Sequence, residues 1–425
     1  MAKAPFTSPL AAELADDVLA RFLRYARIDT ESAYFQKTSP STARQLDLSR
    51  LLVSELEEIG LERARLDEHG YVYASLPGTA PAAPAIGLIA HVDTSPDVTG
   101  IGVQPQVHRE YDGGEIVLPG DPAQVLRPSD SPALAKRVGH DIVTSDGTTL
   151  LGADDKAGVA EIMAAVAYLA RHPEPPRAPV EVCFTVDEEI GSGAEFLDIA
   201  DFGAVAAYTL DGSDLGELEV ETFWAWQVTI TIHGRAVHPG SAKGKLVNAV
   251  KLAADLVAAL PRDGLSPETT EDREGFVHPA RIEGTAGETV IRLIVRDHDR
   301  GKLEEHLELL RGLAAGIEAR EPRARVEITE TQTYGNMREI IDAHPRVIAA
   351  AEEATRRIGV EPHTTVIRGG TDGAELSFRG LPTPNIFTGG QDYHSLREWA
   401  SVQDMAASAA VVVELARVWA EPQSG

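Results

Sequence analysis

His91 and Asp93 stand two residues apart, directly after the short apolar run 86–90. Asp187, Glu188 and Glu189 follow a second such run, and Asp211 follows a third. Asp154 and Asp155 lie in Gly152-Ala-Asp-Asp-Lys-Ala-Gly158, at the start of a helical pattern. Neutral imidazole and carboxylate oxygens are ligands for Zn²⁺, and also for Mn²⁺ or Co²⁺. In extended chain His91 and Asp93 project to the same side, so His91 can bind metal while Asp93 orients its other ring nitrogen. Glu188 and Glu189 are adjacent and cannot point the same way; one can bind metal while the other meets substrate as a general base. Each piece alone is commonplace, because an Asp-Glu-Glu run is usually a solvated loop and an Asp pair ahead of a helix serves as a cap. Their shared placement at strand ends points to a metal centre.

The elements that position these residues follow from periodicity. Residues 11–27 place Leu14, Val18, Leu19, Phe22 and Leu23 on one helical face, and a second helix is predicted over 41–59 with Gly60 as its C-cap. Residues 71–76 alternate as a strand. The run 86–90 is too short and too continuous for an amphipathic helix and suits a strand buried on both faces. Strands are also predicted at 180–186 and 205–210, with a helix at 156–170 stopped by Pro173. This alternation predicts an α/β domain with a mostly parallel sheet and flanking helices, whose ligands bind beyond the carboxyl ends of the strands. The pattern changes after Gly216. Strand 226–233, helix 246–260, strands 276–282 and 289–295, helix 301–319 and strand 325–330 read as β-α-β-β-α-β, a smaller α+β lid. The α/β pattern then resumes with helix 343–358, strand 363–367 and helix 402–419. A catalytic domain in two parts, 1–218 and 334–425, is therefore expected to be interrupted by an inserted domain at 219–333. Residues 96–150 are rich in Gly and Pro and are expected to form hairpins and loops on the larger domain.

Composition narrows the function classes. The chain has 39 Lys and Arg against 66 Asp and Glu, a formal net charge of −27, which argues against nucleic acid and anionic membranes as partners. The single cysteine, Cys183, excludes a disulfide framework and a thiolate-built metal site, and reads as a buried structural thiol. The first ten residues carry one cation and no continuous apolar core, so they do not read as a signal peptide. No window approaches the ~20 apolar residues of a membrane span. A cytoplasmic location is expected.

Several longer stretches carry a family resemblance across nearly the whole chain: Thr38-Ser-Pro-Ser-Thr42, His91-Val-Asp-Thr-Ser-Pro-Asp97, Leu151-Gly-Ala-Asp-Asp-Lys-Ala-Gly158, Thr185-Val-Asp-Glu-Glu-Ile-Gly191, His238-Pro-Gly-Ser-Ala-Lys-Gly244, Tyr334-Gly-Asn-Met-Arg-Glu339, Arg368-Gly-Gly-Thr-Asp-Gly373 and Thr388-Gly-Gly-Gln-Asp-Tyr-His394. Their order resembles the M20 family of dizinc metallopeptidases, and the stretches from His238 and Arg368 resemble its tripeptide-aminopeptidase branch. The resemblance implies two Zn²⁺, with Co²⁺ or Mn²⁺ as substitutes. His91, Asp154 and Asp211 would hold one ion and Asp154, Glu189 and His394 the other, with Asp154 bridging. It also implies a cis Asp154–Asp155 bond and Glu188 as the general base. The implied reaction is release of the N-terminal residue from short peptides with a free N-terminus, chiefly tripeptides, by metal-activated water. Dipeptidase, carboxypeptidase or N-acyl-amino-acid deacylase action would use the same ligands, and a non-catalytic peptide-binding relative is a further alternative.

On the substrate side, Arg368 lies in a Gly-rich loop, where its fork suits a peptide carboxylate. The resemblance makes His238 a donor to the oxyanion. Asn336 and Arg296 are further substrate-side candidates. On this reading His238 belongs to the inserted domain and Arg368 to the flanking one. The inserted domain is also the candidate surface for a homodimer.

Overall fold

The apolar run that ends in His91 is the strand Ile86–His91, buried along its whole length. The computed structural model describes residues 5–422, so the first four residues of the amino-terminal stretch read above lie outside it. Val180–Thr185 and Ala206–Gly212 run parallel to this strand on either side, and Asn385–Phe387 continues the parallel set beyond Ala206–Gly212. Antiparallel strands Val72–Leu76 and Glu62–Leu66 extend one side. Glu217–Glu221, antiparallel, and then His363–Val366 extend the other. Strands covered on both faces need continuous apolar sequence, and each buried Ile or Leu contributes roughly 1.5–3 kcal/mol. That covering explains Val72–Leu76, whose sequence alternates but whose five residues are all buried.

Helices cover the sheet. Ala153–Arg171 packs on strands Ile86–His91 and Ala206–Gly212, and on helices Pro9–Tyr25 and Val402–Ala420. The last of these is buried on nearly all sides, which accounts for the apolar stretch in its middle. The helix predicted over 41–59 begins at Gln45 and stops at Gly60, which takes a left-handed φ of 94°. The helix predicted over 343–358 begins at Pro345, where a proline suits the first turn, and a separate short helix Arg338–Asp342 precedes it.

Between Gln106 and Thr144 the chain forms short strands. Gln106–His108 and Ile142–Thr144 join Trp399–Ser401 and Gly390–Gln391 in a second sheet, and Ile116–Val117 pairs with Val125–Leu126. Tyr111, Leu118, Leu134, Ile142 and Trp399 form a satellite core beneath them.

A second, smaller compact unit comprises Glu221–Arg338 together with Val366–Gly370. Its sheet has the order Phe276–Gly284, Glu288–Asp297, Trp224–His233, Arg325–Tyr334, all antiparallel. Helices Ala249–Ala259 and Arg300–Arg320 cover one face, burying Val228, Ile230, Ile232, Ile291, Leu293 and Val295 against Leu256, Leu303, Leu307 and Leu310. The other face alternates polar residues, as an antiparallel sheet with one wet side does. Val366–Gly370 departs from the expected domain limits. Ile367 donates its N–H to the Glu221 carbonyl, drawing this short return of the chain into the smaller unit. Among the described residues no helix is long and apolar enough to cross a membrane.

Candidate metal centre

Three adjacent parallel strands end at one edge of the large sheet, and each delivers an expected group. Ile86–His91 ends in His91, Val180–Thr185 leads into the turn Glu188–Ile190, and Ala206–Gly212 carries Asp211. The helix Ala153–Arg171 starts at the same edge, and its first residues, Asp154 and Asp155, keep non-helical angles across a cis peptide bond. Gly158 lets this helix lie close to the neighbouring strand, because a Cβ there would sit 2.1 Å from the Leu210 carbonyl oxygen. His394 arrives from a loop of the same unit, with a left-handed φ of 54°.

The Asp154 carboxylate lies between two imidazoles. Its Oδ1 is 2.9 Å from His91 Nε2, and its Oδ2 is 3.1 Å from His394 Nε2. His394 Nε2 is also 2.8 Å from Glu189 Oε2, and His91 Nε2 is 3.7 Å from Asp211 Oδ1. Ligand atoms of His91, Asp154 and Glu189 lie within 4.8 Å of one another, as do those of His91, Asp155 and Asp211. Asp155 is engaged as well, accepting the main-chain N–H of His91 and of Gly158.

Asp93 sits differently from its expected place. The Nδ1 of His91 is 3.0 Å from the main-chain oxygen of Asp93, while the Asp93 carboxylate is 3.4 Å away. That contact makes Nδ1 a donor and turns Nε2, the atom a metal ion would take, toward Asp154. The Asp93 carboxylate instead accepts the N–H groups of Glu188 and Glu189, at 3.1 and 3.2 Å. It therefore fixes the turn on which the two adjacent acids diverge. Asp187, left-handed at φ 64°, starts that turn, and its carboxylate is held by Ser41 and Gln45.

The electrostatics of the cluster show a shortage of positive charge. Burial and the neighbouring Asp154 push Glu189 up to about 8. Burial raises Asp211, and lifts Glu188 and Asp155 well above the carboxylate range. Asp154 goes the other way; burial opposes the shift, but hydrogen bonds from His394 and His91 hold it below its ordinary value. Asp154 and Glu189 raise His394 to about 11. For His91, burial is outweighed by hydrogen bonds to Asp154, Asp211 and Asp93. Two carboxylates about 4 Å apart repel by roughly 4 kcal/mol at an effective dielectric of about 20. Glu189 Oε1 is buried without a hydrogen-bond partner. A mixed imidazole–carboxylate set with surplus anions and an orphaned ligand atom fits divalent metal ions.

The four substrate-side candidates all fall in the smaller unit. His238 is exposed, and its Nδ1 accepts the N–H of Gly240, so a neutral ring carries its proton on Nε2. Arg368, expected in the flanking domain, instead donates to Thr270 Oγ1 and to the carbonyls of Asp272 and Glu274 beside the rings of Phe223 and Phe276. Arg296 donates to the Arg368 carbonyl and stands over Phe276 and Tyr334. Asn336 is 4% exposed and bonds with Glu221, Thr222, His298 and Arg338, which makes it a joint within the unit.

Some supporting residues were missed. Lys156, 1% exposed, donates to the Ile28 carbonyl, and Asp372 accepts from Thr185. Both lie in stretches that carry the family resemblance, which was the available signal. Glu398 holds the loop before Asp154, and no spacing or motif marks it.

Known proteins resemble this chain over nearly its whole length. A peptidase T from Geobacillus thermodenitrificans is 46% identical over 409 residues, covering 96% of this chain and 99% of that one. The aminopeptidase PepT from Bacillus cereus shares the fold with a TM-score of 0.75 at 23% identity, over 96% of this chain and 99% of that one. A dinuclear metal-binding M20 peptidase from Bacillus subtilis gives a TM-score of 0.64 at 16% identity, over 96% and 98%. The model of peptidase family M20/M25/M40 matches residues 147–418, which hold Asp154, the Glu188–Glu189 turn, Asp211 and His394. The chain belongs to this family and is a peptidase of the metallo type.

Proposed function

We propose that this chain is a two-metal aminopeptidase that releases the N-terminal residue of tripeptides. The observation that carries the reading is the Asp154 carboxylate standing between His91 and His394, with an oxygen toward each. His91, Asp154 and Asp211 would hold one ion and Asp154, Glu189 and His394 the other, with Zn²⁺ the expected metal and Co²⁺ or Mn²⁺ as substitutes. Bound there, the ions would acidify a water and offset charge developing on the scissile carbonyl oxygen.

The remaining chemistry falls to side chains. Glu188 takes the proton of the attacking water and returns it to the leaving amine. Its place on the turn held by Asp93, beside the ligand Glu189, supports this role. Asp93 keeps Glu188 and Glu189 apart through their main-chain N–H groups. The role of His238 as a donor to the developing oxyanion rests on the family resemblance alone. The choice of tripeptides rests on the branch resemblance and on the name of the Geobacillus relative.

The test is a product analysis by mass spectrometry of Zn²⁺- or Co²⁺-loaded protein. A tripeptide should yield its free N-terminal amino acid, and the N-acetylated tripeptide should remain intact. Cleavage of the acetylated peptide would move the assignment to a carboxypeptidase or deacylase, and preference for a dipeptide would make it a dipeptidase.

A further inference from the structure

Glu398 is 1% exposed, and its carboxylate is surrounded by main-chain donors. Oε2 accepts the N–H of Leu151 at 2.8 Å and of Gly152 at 2.9 Å; Oε1 accepts the N–H of Asp154 at 3.0 Å. Gly152, at φ 78°, gives the chain the left-handed step that turns successive N–H groups toward one anion. Hydrogen bonds to a charged acceptor are roughly twice as strong as neutral ones.

The glutamate is itself well held. Its N–H donates to the Ser395 carbonyl, and the next residue, Trp399, is fully buried. The Trp399 indole N–H reaches Ser131 Oγ and Asp392 Oδ2, both at 3.1 Å, and Trp399–Ser401 pairs with Ile142–Thr144. His394 lies four positions earlier on the same short segment. This one segment therefore meets Asp154 twice: His394 meets the side chain and Glu398 meets the main chain.

We infer that Glu398 is a positioning residue for the metal centre, aiming the Asp154 carboxylate between His91 and His394 by fixing the backbone that carries it. The inference rests on the reading of Asp154 as the shared ligand. A glutamine cannot replace the carboxylate. Its amide oxygen can serve Leu151 and Gly152, but its NH₂ then faces the N–H of Asp154, donor against donor. Flipping the amide satisfies Asp154 and loses the other two.

The experiment is a titration of metal-free, full-length protein with Co²⁺, read by visible absorption, alongside the melting temperature of each metal-free form. Wild type should take up two equivalents. Glu398→Gln should bind one or both equivalents about 10–100-fold more weakly and with an altered band, because partners that orient a ligand typically carry that much affinity. Glu398→Asp keeps the charge with a shorter reach and should recover part of the loss. A Glu398→Gln titration that superimposes on wild type overturns the inference, even if the metal-free protein melts lower, since that pattern belongs to a purely architectural glutamate. Should Glu398→Gln not fold, Glu398→Asp carries the test: weaker Co²⁺ binding supports the inference, and a wild-type curve overturns it. If wild type itself binds no Co²⁺, the two-metal reading falls and this inference with it.

Discussion

Among the described residues that set histidine beside carboxylates, two clusters contrast, and one of them resembles a metal centre. On the open face of the smaller sheet, His233 lies between Glu288, 3.1 Å from Nδ1, and Glu327, 3.5 Å from Nε2. At the edge of the large sheet the arrangement is inverted, with the Asp154 carboxylate between two imidazoles. The His233 trio is spread over three antiparallel strands, with side chains 27%, 58% and 51% exposed, and its two carboxylates stand beside opposite ring nitrogens, with solvent reaching both acids. At the large sheet the strand ends and a helix start bring the groups inward, where His91 is 2% exposed. Residue types alone do not make a metal site; convergence on one buried point does.

The largest expected effect comes from removing the group on which the inner cluster converges. Asp154→Ala should lose both metals, or retain one weakly, with activity falling below detection, whereas His394→Ala should mainly weaken one. Two tightly held equivalents in Asp154→Ala, measured by elemental analysis, would contradict its bridging role. Next is Glu188→Gln, which should cut turnover by at least about 10²-fold while metal content stays near that of wild type. A parallel loss of metal would mean that Glu188 and Glu189 have been assigned the wrong way round. His238→Ala should lower kcat by about 10²–10³-fold with a smaller change in KM. Full activity in that variant would remove the smaller unit from the chemistry.

A buried acid without a converging partner set sharpens the contrast further. Glu161 is fully buried on helix Ala153–Arg171, with Ser408 Oγ 2.6 Å from Oε2 and no partner on Oε1. Burial, with nearby Asp404 adding to it, lifts its carboxyl well above the usual range. Because the folded-state value lies above the unfolded one, the stabilisation is fully present below about pH 4.3 and is lost as pH rises toward the folded value. Glu161→Gln removes the titration and should gain on wild type as pH rises above about 4.3, with a slope of at most about 1.4 kcal/mol per pH unit, measured by urea unfolding. An equal pH slope in the two proteins would refute this. The smallest effect belongs to the exposed trio: His233→Gln should leave metal content and turnover unchanged, and stability within about 0.5 kcal/mol. A drop in bound metal would give that open sheet face a role that its geometry does not suggest.

The inner cluster was partly legible in the sequence because its strands are continuous apolar runs, so the acids following them could be placed at one edge. His394 has no such run before it, and resemblance alone marked it. Strands of two or three residues, such as Ile116–Val117 and Trp399–Ser401, are too short to show a period, so the satellite sheet and the support it gives Glu398 stayed hidden. Arg368 was placed in the wrong unit for a related reason. Val366–Gly370 returns to the smaller unit through contacts distant in sequence, whereas the sequence reads it as the end of strand 363–367 followed by a Gly-rich loop.

The pairing of Asn385–Phe387 with Ala206–Gly212 also has a cost during synthesis. The ribosome must add about 170 further residues before the second strand of this pair exists, which at 5–20 residues per second takes on the order of ten to thirty seconds. For that interval Ala206–Gly212 has its Ile86–His91 partner on one side and an unpaired apolar edge on the other, while the whole of Glu221–Arg338 is being made. The nascent chain is thus most open to wrong pairing just when the smaller unit, built from neighbouring antiparallel strands, is ready to fold.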